Sequence, residues 1–286
     1  VLNNYGFPRR VEIRPPALRG PGVTVTQGVT RMTRMKNRTT IRASIAAGLT
    51  AAALIAIPLG GGSAANAGTP APSSSVGPFK ETFVQNFSTD ASAYGQFAQT
   101  YANSWQPYAD GTSGIYWSSS QVSAHDGLMD VSLDGSHGAA GTFGTTSGAY
   151  SHTGGMFSVR AKATGGVGNG AAFMLWPSSN VWSDGEIDYP ESNFEASPML
   201  HQHSMTPGQE ANNTALSTGV SWRNWHTYSV QWIPGRSVTY LLDGKVIDTI
   251  THDVPTTPHR YMFQVGNWGA TGHLFIDWVA TYDYEG

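Results

Sequence analysis

The stretch SVTYLLDGKVIDTI, residues 237–250, reads as two β-rich runs separated by Asp243-Gly244. A two-residue hairpin turn needs positive φ at its central positions, which Asp and Gly tolerate, so the stretch predicts an antiparallel hairpin. Outward from it, other runs alternate with the period of a strand. In GLMDVSLDG, Met129, Val131 and Leu133 alternate with Asp130, Ser132 and Asp134. In GGMFSVRAKA, Phe157, Val159, Ala161 and Ala163 are expected on one face, with Ser158, Arg160 and Lys162 on the other. In LFIDWVATYDY the alternation places Leu274, Ile276, Trp278, Ala280 and Tyr282 on one face. No long helical pattern interrupts these runs from Phe79 onward. Many short strands bounded by Gly, Asp, Asn and Pro predict an all-β fold of two packed antiparallel sheets.

The bulk numbers agree. The chain has 286 residues, of which 40% are hydrophobic, with 34 Gly and 9 Trp, enough for one substantial core. A formal net charge of -3 and the lack of a Lys/Arg-rich block in the Trp-rich part argue against nucleic acid as a partner. The absence of Cys excludes disulfides, Cys-ligated zinc and thiol nucleophiles.

Arg34, Lys36, Arg38 and Arg42 precede an uncharged run that includes the apolar stretch from Ile45 to Leu59 and ends in Ala65-Asn66-Ala67. This is the pattern of an export signal, placed at residues 32–67, with cleavage after Ala67. The apolar stretch is about 15 residues long where a membrane span wants about 20, which disfavours an uncleaved anchor. Residues 1–31 read as an extension upstream of the native start, and residues 68–78 as a flexible linker. The expected mature protein is secreted, monomeric and not membrane-associated, with its folded domain at residues 79–286.

The chemistry is expected in GEIDYPES, Gly185 to Ser192, where Glu186, Asp188 and Glu191 gather in a chain only 12% charged. On a regular strand Glu186 and Asp188 share a face and Glu191 does not. A β-bulge adds one residue and restores the phase, and Pro190, which lacks the N–H a ladder needs, is suited to it. Three carboxylates on one face repel one another and are poorly explained by structure alone. Glycoside hydrolysis does want such a cluster, with one carboxylate as nucleophile and a second, protonated, as general acid.

The segment resembles the E-x-D-x-x-E signature of glycoside hydrolase family 16, in its laminarinase-like branch. GGMFSVRAKATGGVGNGAAFMLWP, NWHTYSVQWIPGRSVTYLLDGKVI, FQVGNWG and FIDWVATYDY resemble further family blocks in type and order, so the likeness covers about residues 79–286. It implies a β-jelly-roll sandwich with a concave glycan cleft and retaining hydrolysis of internal β-glycosidic bonds, here in β-1,3- or mixed β-1,3/1,4-glucan. Glu186 would be the nucleophile, Glu191 the acid/base, and Asp188 the residue that orients Glu186. No cofactor is implied for catalysis, and the resemblance allows a structural calcium at Asp277. Tyr189-Pro190 and Ser192-Asn193 depart from the apolar residues common in the family, which leaves agar- or galactan-like polymers as an alternative substrate.

Trp176, Trp182 and Trp268 are candidates to stack on sugar rings, and Asn267 to bind a sugar hydroxyl. Trp232 and Trp278 are expected to pack in the core. His201 and His203 share a strand face; a metal site there lacks an evident third ligand, and His203 is the candidate for a hydrogen bond to substrate or to the acids. A carbohydrate-binding sandwich without turnover and a cell-surface adhesion module are the competing readings, and neither accounts for the clustered acids.

Overall fold

The computed structural model describes Ala71, residues 74–267 and residues 269–286. The expected upstream extension and export signal lie outside the described residues, as do residues 68–70, 72 and 73 of the linker. In chain order the strands begin with β1 (Phe79–Gln85), β2 (Trp105–Pro107), β3 (Val122–His125), β4 (Leu128–Asp134) and β5 (Ala139–Phe143). They continue with β6 (Gly155–Gly165), β7 (Asn169–Pro177), β8 (Ile187–Asn193), β9 (Met199–His203) and β10 (Asn213–Ser217). The last are β11 (His226–Ile233), β12 (Ser237–Leu242), β13 (Lys245–Ile250), β14 (His259–Asn267) and β15 (Thr271–Tyr284). Two short helices, α1 (Gln96–Thr100) and α2 (Ser118–Gln121), interrupt them.

The strands form two antiparallel sheets of a jelly-roll sandwich. One is eight-stranded, ordered β13-β12-β11-β6-β15-β4-β3 with β1 also paired to β15; the other is seven-stranded, ordered β10-β9-β8-β7-β14-β5-β2. The hairpin read from sequence is β12 and β13, with Leu242 opposite Lys245 and positive φ at Asp243 and Gly244.

The inward faces meet in one core. Phe157, Val159, Ala161 and Ala163 of β6 and Met129, Val131 and Leu133 of β4 point into it, as the alternation predicts. From the opposite sheet come Phe143, Phe173, Tyr261 and Phe263, whose rings lie 5.5 to 6.5 Å from their neighbours. Trp105 stacks on Phe263 at 5.9 Å with the rings 4° from parallel. A Cβ at Gly141 would collide with that indole, so the close approach of β5 to Trp105 requires glycine there. Trp232 is core as expected and donates from Nε1 to the Pro255 carbonyl at 2.9 Å.

Two expectations are corrected. The alternation in the last strand does not run unbroken: the register of β15 against β6 shifts between Ile276 and Trp278. Leu274, Ile276 and Val279 therefore enter the main core, while Trp278, Ala280 and Tyr282 form a separate cluster with Val76, Phe79 and Met156. Trp278 is packed as expected, but on the other side of its sheet, opposite Arg160. Val76, placed in the flexible linker, exchanges backbone hydrogen bonds with Phe79 and belongs to that second cluster. Among the described residues no helix is long and apolar enough to cross a membrane.

Phe263 packs against the rings of Trp105, Phe143 and Phe173. Phe263→Ala is expected to cost about 3–5 kcal/mol of stability, read as a lowered urea midpoint with little change in slope.

Candidate active site

The outer face of the seven-stranded sheet takes its chemistry from one irregularity. On the β7 side Asp188 pairs with Met174 and Glu191 with Ala172, so Tyr189 and Pro190 together oppose Phe173 alone. On the β9 side Asp188 pairs with His201 and Glu191 with Met199, so the same two residues oppose Leu200 alone. This is the two-against-one count of a bulge, and it restores the phase of the strand. Ile187 and Tyr189 point into the core, and Asp188 and Glu191 both point outward with Ala172 and Met174. The Tyr189–Pro190 peptide is cis.

Tyr189 is the inner anchor of the bulge. Its ring meets those of Tyr228 and Tyr240 edge-on at 5.4 and 5.5 Å. Its hydroxyl is buried without a hydrogen-bond partner, and burial pushes its pKa far up. Glu186 lies just ahead of β8, after a 3-10 turn at Trp182–Asp184 and Gly185 at φ 113, where a Cβ would strike Pro255. Its carbonyl accepts the His203 N–H at 3.0 Å, which ties the first acid to β9.

Each of the two outward acids of β8 faces a histidine of β9. His201 Nδ1 stands 2.6 Å from Glu191 Oε2, and His203 Nε2 stands 3.2 Å from Asp188 Oδ2; both are ion-pair distances out of line for a full hydrogen bond. Nδ1 of His203 lies 2.6 Å from the Glu210 carbonyl, which can only accept, so that nitrogen carries a hydrogen. Burial lowers the pKa of His201, but the contact with Glu191 and the charges of Glu191 and Asp188 outweigh it and hold the imidazole above its ordinary value.

Of the other expected contacts, Trp182 is half-buried with its ring 5.7 Å from that of His203, beside the acids. Trp176 is half-buried on the same outward face and packs with Met174, Met262 and Tyr108; its Nε1 donates to Asn180 Oδ1 at 3.2 Å. Asn267 ends β14, two strands from β8, while its side chain and Trp268 lie outside what is described.

Asp277 sits elsewhere, on the outer face of the eight-stranded sheet at the register shift of β15. Its Oδ2 receives a hydrogen bond from Arg160 Nη1 at 3.1 Å, and both residues are buried. This arrangement lends the calcium expectation no support. Glu186, Asp188 and His203 bring donor atoms within 4.8 Å of one another, but they belong to the carboxylate site and we assign none of them to a metal.

The contact between His201 and Glu191 is what sequence reasoning missed. The spacing of HQHS shows that His201 and His203 share a face, but which acid meets which histidine depends on the register across the bulge.

A jelly-roll sandwich with two glutamates and an aspartate gathered at the outer face of one sheet has the donor set that glycoside hydrolysis uses. Residues 110–284 match the family model for Glycosyl hydrolases family 16, and the chain belongs to that family. It is 25% identical to a beta-glucanase of Bacillus subtilis (strain 168) over 133 residues, 45% of this chain and 52% of the relative. The chain spans about half the length of the curated relatives it matches. Among solved structures it resembles the catalytic domain of an endo-1,3-beta-glucanase (laminarinase) from Thermotoga petrophila RKU-1. There the TM-score is 0.54 at 18% identity, covering 73% of this chain and 99% of that one. It also resembles a Bacillus licheniformis beta-glucanase, with a TM-score of 0.53 at 19% identity over 70% and 97%. At these identities the likeness to the solved structures is one of fold.

The unpartnered hydroxyl gives a test of the bulge anchor. Tyr189→Phe removes a buried polar group with no partner and is expected to leave thermal stability unchanged or raised by about 1–2 kcal/mol, whereas Tyr189→Ala is expected to cost about 3–5 kcal/mol. Melting curves of the two variants check this.

Proposed function

We propose that this chain is an exported, retaining endo-β-glycosidase that hydrolyses β-1,3- or mixed β-1,3/1,4-glucan. The observation that carries the proposal is the bulge at Tyr189-Pro190, which turns Asp188 and Glu191 to the same outer face with Glu186 directly ahead of them. Family membership and the names of the relatives, beta-glucanase and endo-1,3-beta-glucanase, support the substrate class.

In the first step a carboxylate oxygen of Glu186 attacks the anomeric carbon. The glycosidic C–O bond breaks, and the leaving oxygen takes the electron pair and a proton from Glu191. In the second step Glu191, now a carboxylate, accepts a proton from water. The water oxygen bonds to the anomeric carbon, and the ester electrons return to Glu186. Asp188, which faces His203, orients Glu186. Trp182 and Trp176 offer ring faces to sugars bound on either side of the cleaved bond.

The departure at Tyr189-Pro190 keeps a galactan-like substrate as the second reading. Reducing-end release from laminarin, lichenan, agarose, carrageenan and xyloglucan separates the two. Laminarin or lichenan is expected to be cleaved, with product of retained anomeric configuration by proton NMR. Glu191→Gln is expected to lower the rate by about 10²–10⁴-fold, and Glu186→Gln by at least as much. Cleavage of agarose or carrageenan alone would move the assignment to galactans. Inverted product would overturn the covalent intermediate, and binding without release would leave a glycan-binding module.

A further inference from the structure

We propose that His201 is the positioning residue of the acid/base: it holds the Oε2 edge of Glu191 and stabilises the carboxylate that Glu191 becomes when it gives up its proton. The proposal rests on the catalytic assignment of Glu191 above and extends it to a residue whose side chain need not touch the sugar.

The geometry is specific. His201 and Glu191 project from adjacent strands, β9 and β8, with Nδ1 and Oε2 2.6 Å apart and both side chains at most 5% exposed. The bulge creates this contact. His201 pairs across the ladder with Asp188, but His203, further along the same face, is the residue that meets Asp188 at 3.2 Å, which leaves His201 to Glu191. Among the described residues the charged groups that act on His201 are Glu191 and Asp188, both from β8, while His203 of its own strand faces Asp188. On the other side β10 (Asn213–Ser217) brings Ala215 opposite His201 and has no titratable side chain. The imidazole is thus set among acids, and its contact with Glu191 is the shortest of them.

Two neighbours therefore act on Glu191 in opposite senses. The negative charge of Glu186 favours the protonated acid needed to release the leaving group, and an imidazolium at His201 favours the carboxylate needed to activate water. Once Glu186 is glycosylated and neutral, His201 is left as the stronger influence, and Glu191 is held ready as base.

Two measurements test this. In His201→Gln, which keeps a polar side chain of similar reach without the charge, the alkaline limb of kcat/KM is expected to move up by about one pH unit. A rate lowered evenly at every pH, with the limb unmoved, would mean that His201 serves only the fold and would overturn the proposal. The second needs no turnover: the ¹⁵N imidazole shifts of His201 are titrated in the wild type and in Glu191→Gln. Coupling between the two groups is reciprocal, so the His201 midpoint is expected to fall by about one unit or more in the variant. An unchanged midpoint overturns the proposal. A shifted midpoint in a protein that cleaves no polymer would support the pairing while defeating the hydrolase assignment, so the two failures are distinguishable.

Discussion

An extra residue in one strand, opposed by a single residue on each side, is the constraint on which the site depends. Without it, β8 would carry Glu191 on the face that holds Ile187 and Tyr189, inside the aromatic core. Burial of an unpaired carboxylate there costs several kcal/mol. With it, the tyrosine of the bulge is driven inward against Tyr228 and Tyr240 while the acids on either side of it go outward. Core packing and site geometry are thus one arrangement, because the inner face cannot be satisfied in any register that also hides the acids.

The two sheets treat charge differently on their outer faces. On the eight-stranded sheet buried Asp277 meets buried Arg160, whose guanidinium is covered by the Trp225 ring at 4.8 Å, and buried Asp130 is contacted by His125 at 3.0 Å and His273 at 2.8 Å. Each of these acids is matched or outnumbered by its basic partners. On the seven-stranded sheet three acids gather with only two histidines. An excess of acid held among titratable partners is unfavourable for stability alone and is what proton transfer to and from a substrate requires.

The fold was legible because its signals are local. Alternation in β4 and β6 and the Asp243-Gly244 turn depend only on neighbours in the chain, and the structure follows them. The phase of GEIDYPES was legible for the same reason, since the mismatch between spacing and acid positions implied an inserted residue. The shift at Asp277 was not legible, because an unbroken alternation and one with a bulge look alike when every second residue is apolar on both sides of the break. Nor was the partner of Asp277, because Arg160 lies 117 positions away and faces it only once β15 and β6 are paired. The distribution of histidines among acids was hidden likewise, since register across two strands decides it.

The first and last strands of the sandwich lie side by side. Phe79 pairs with Tyr284, the Glu285 N–H donates to the Pro78 carbonyl at 2.8 Å, and Lys80 meets Glu285 at 3.1 Å. The described fold therefore closes on itself, and its point of entry is a matter of covalent order rather than of architecture. A chain joined across these ends and opened at the Asp243-Gly244 turn would traverse the same strands from a different start. Glu186, Asp188 and Glu191 would then follow β15 in sequence instead of preceding it, with their surroundings in space unaltered.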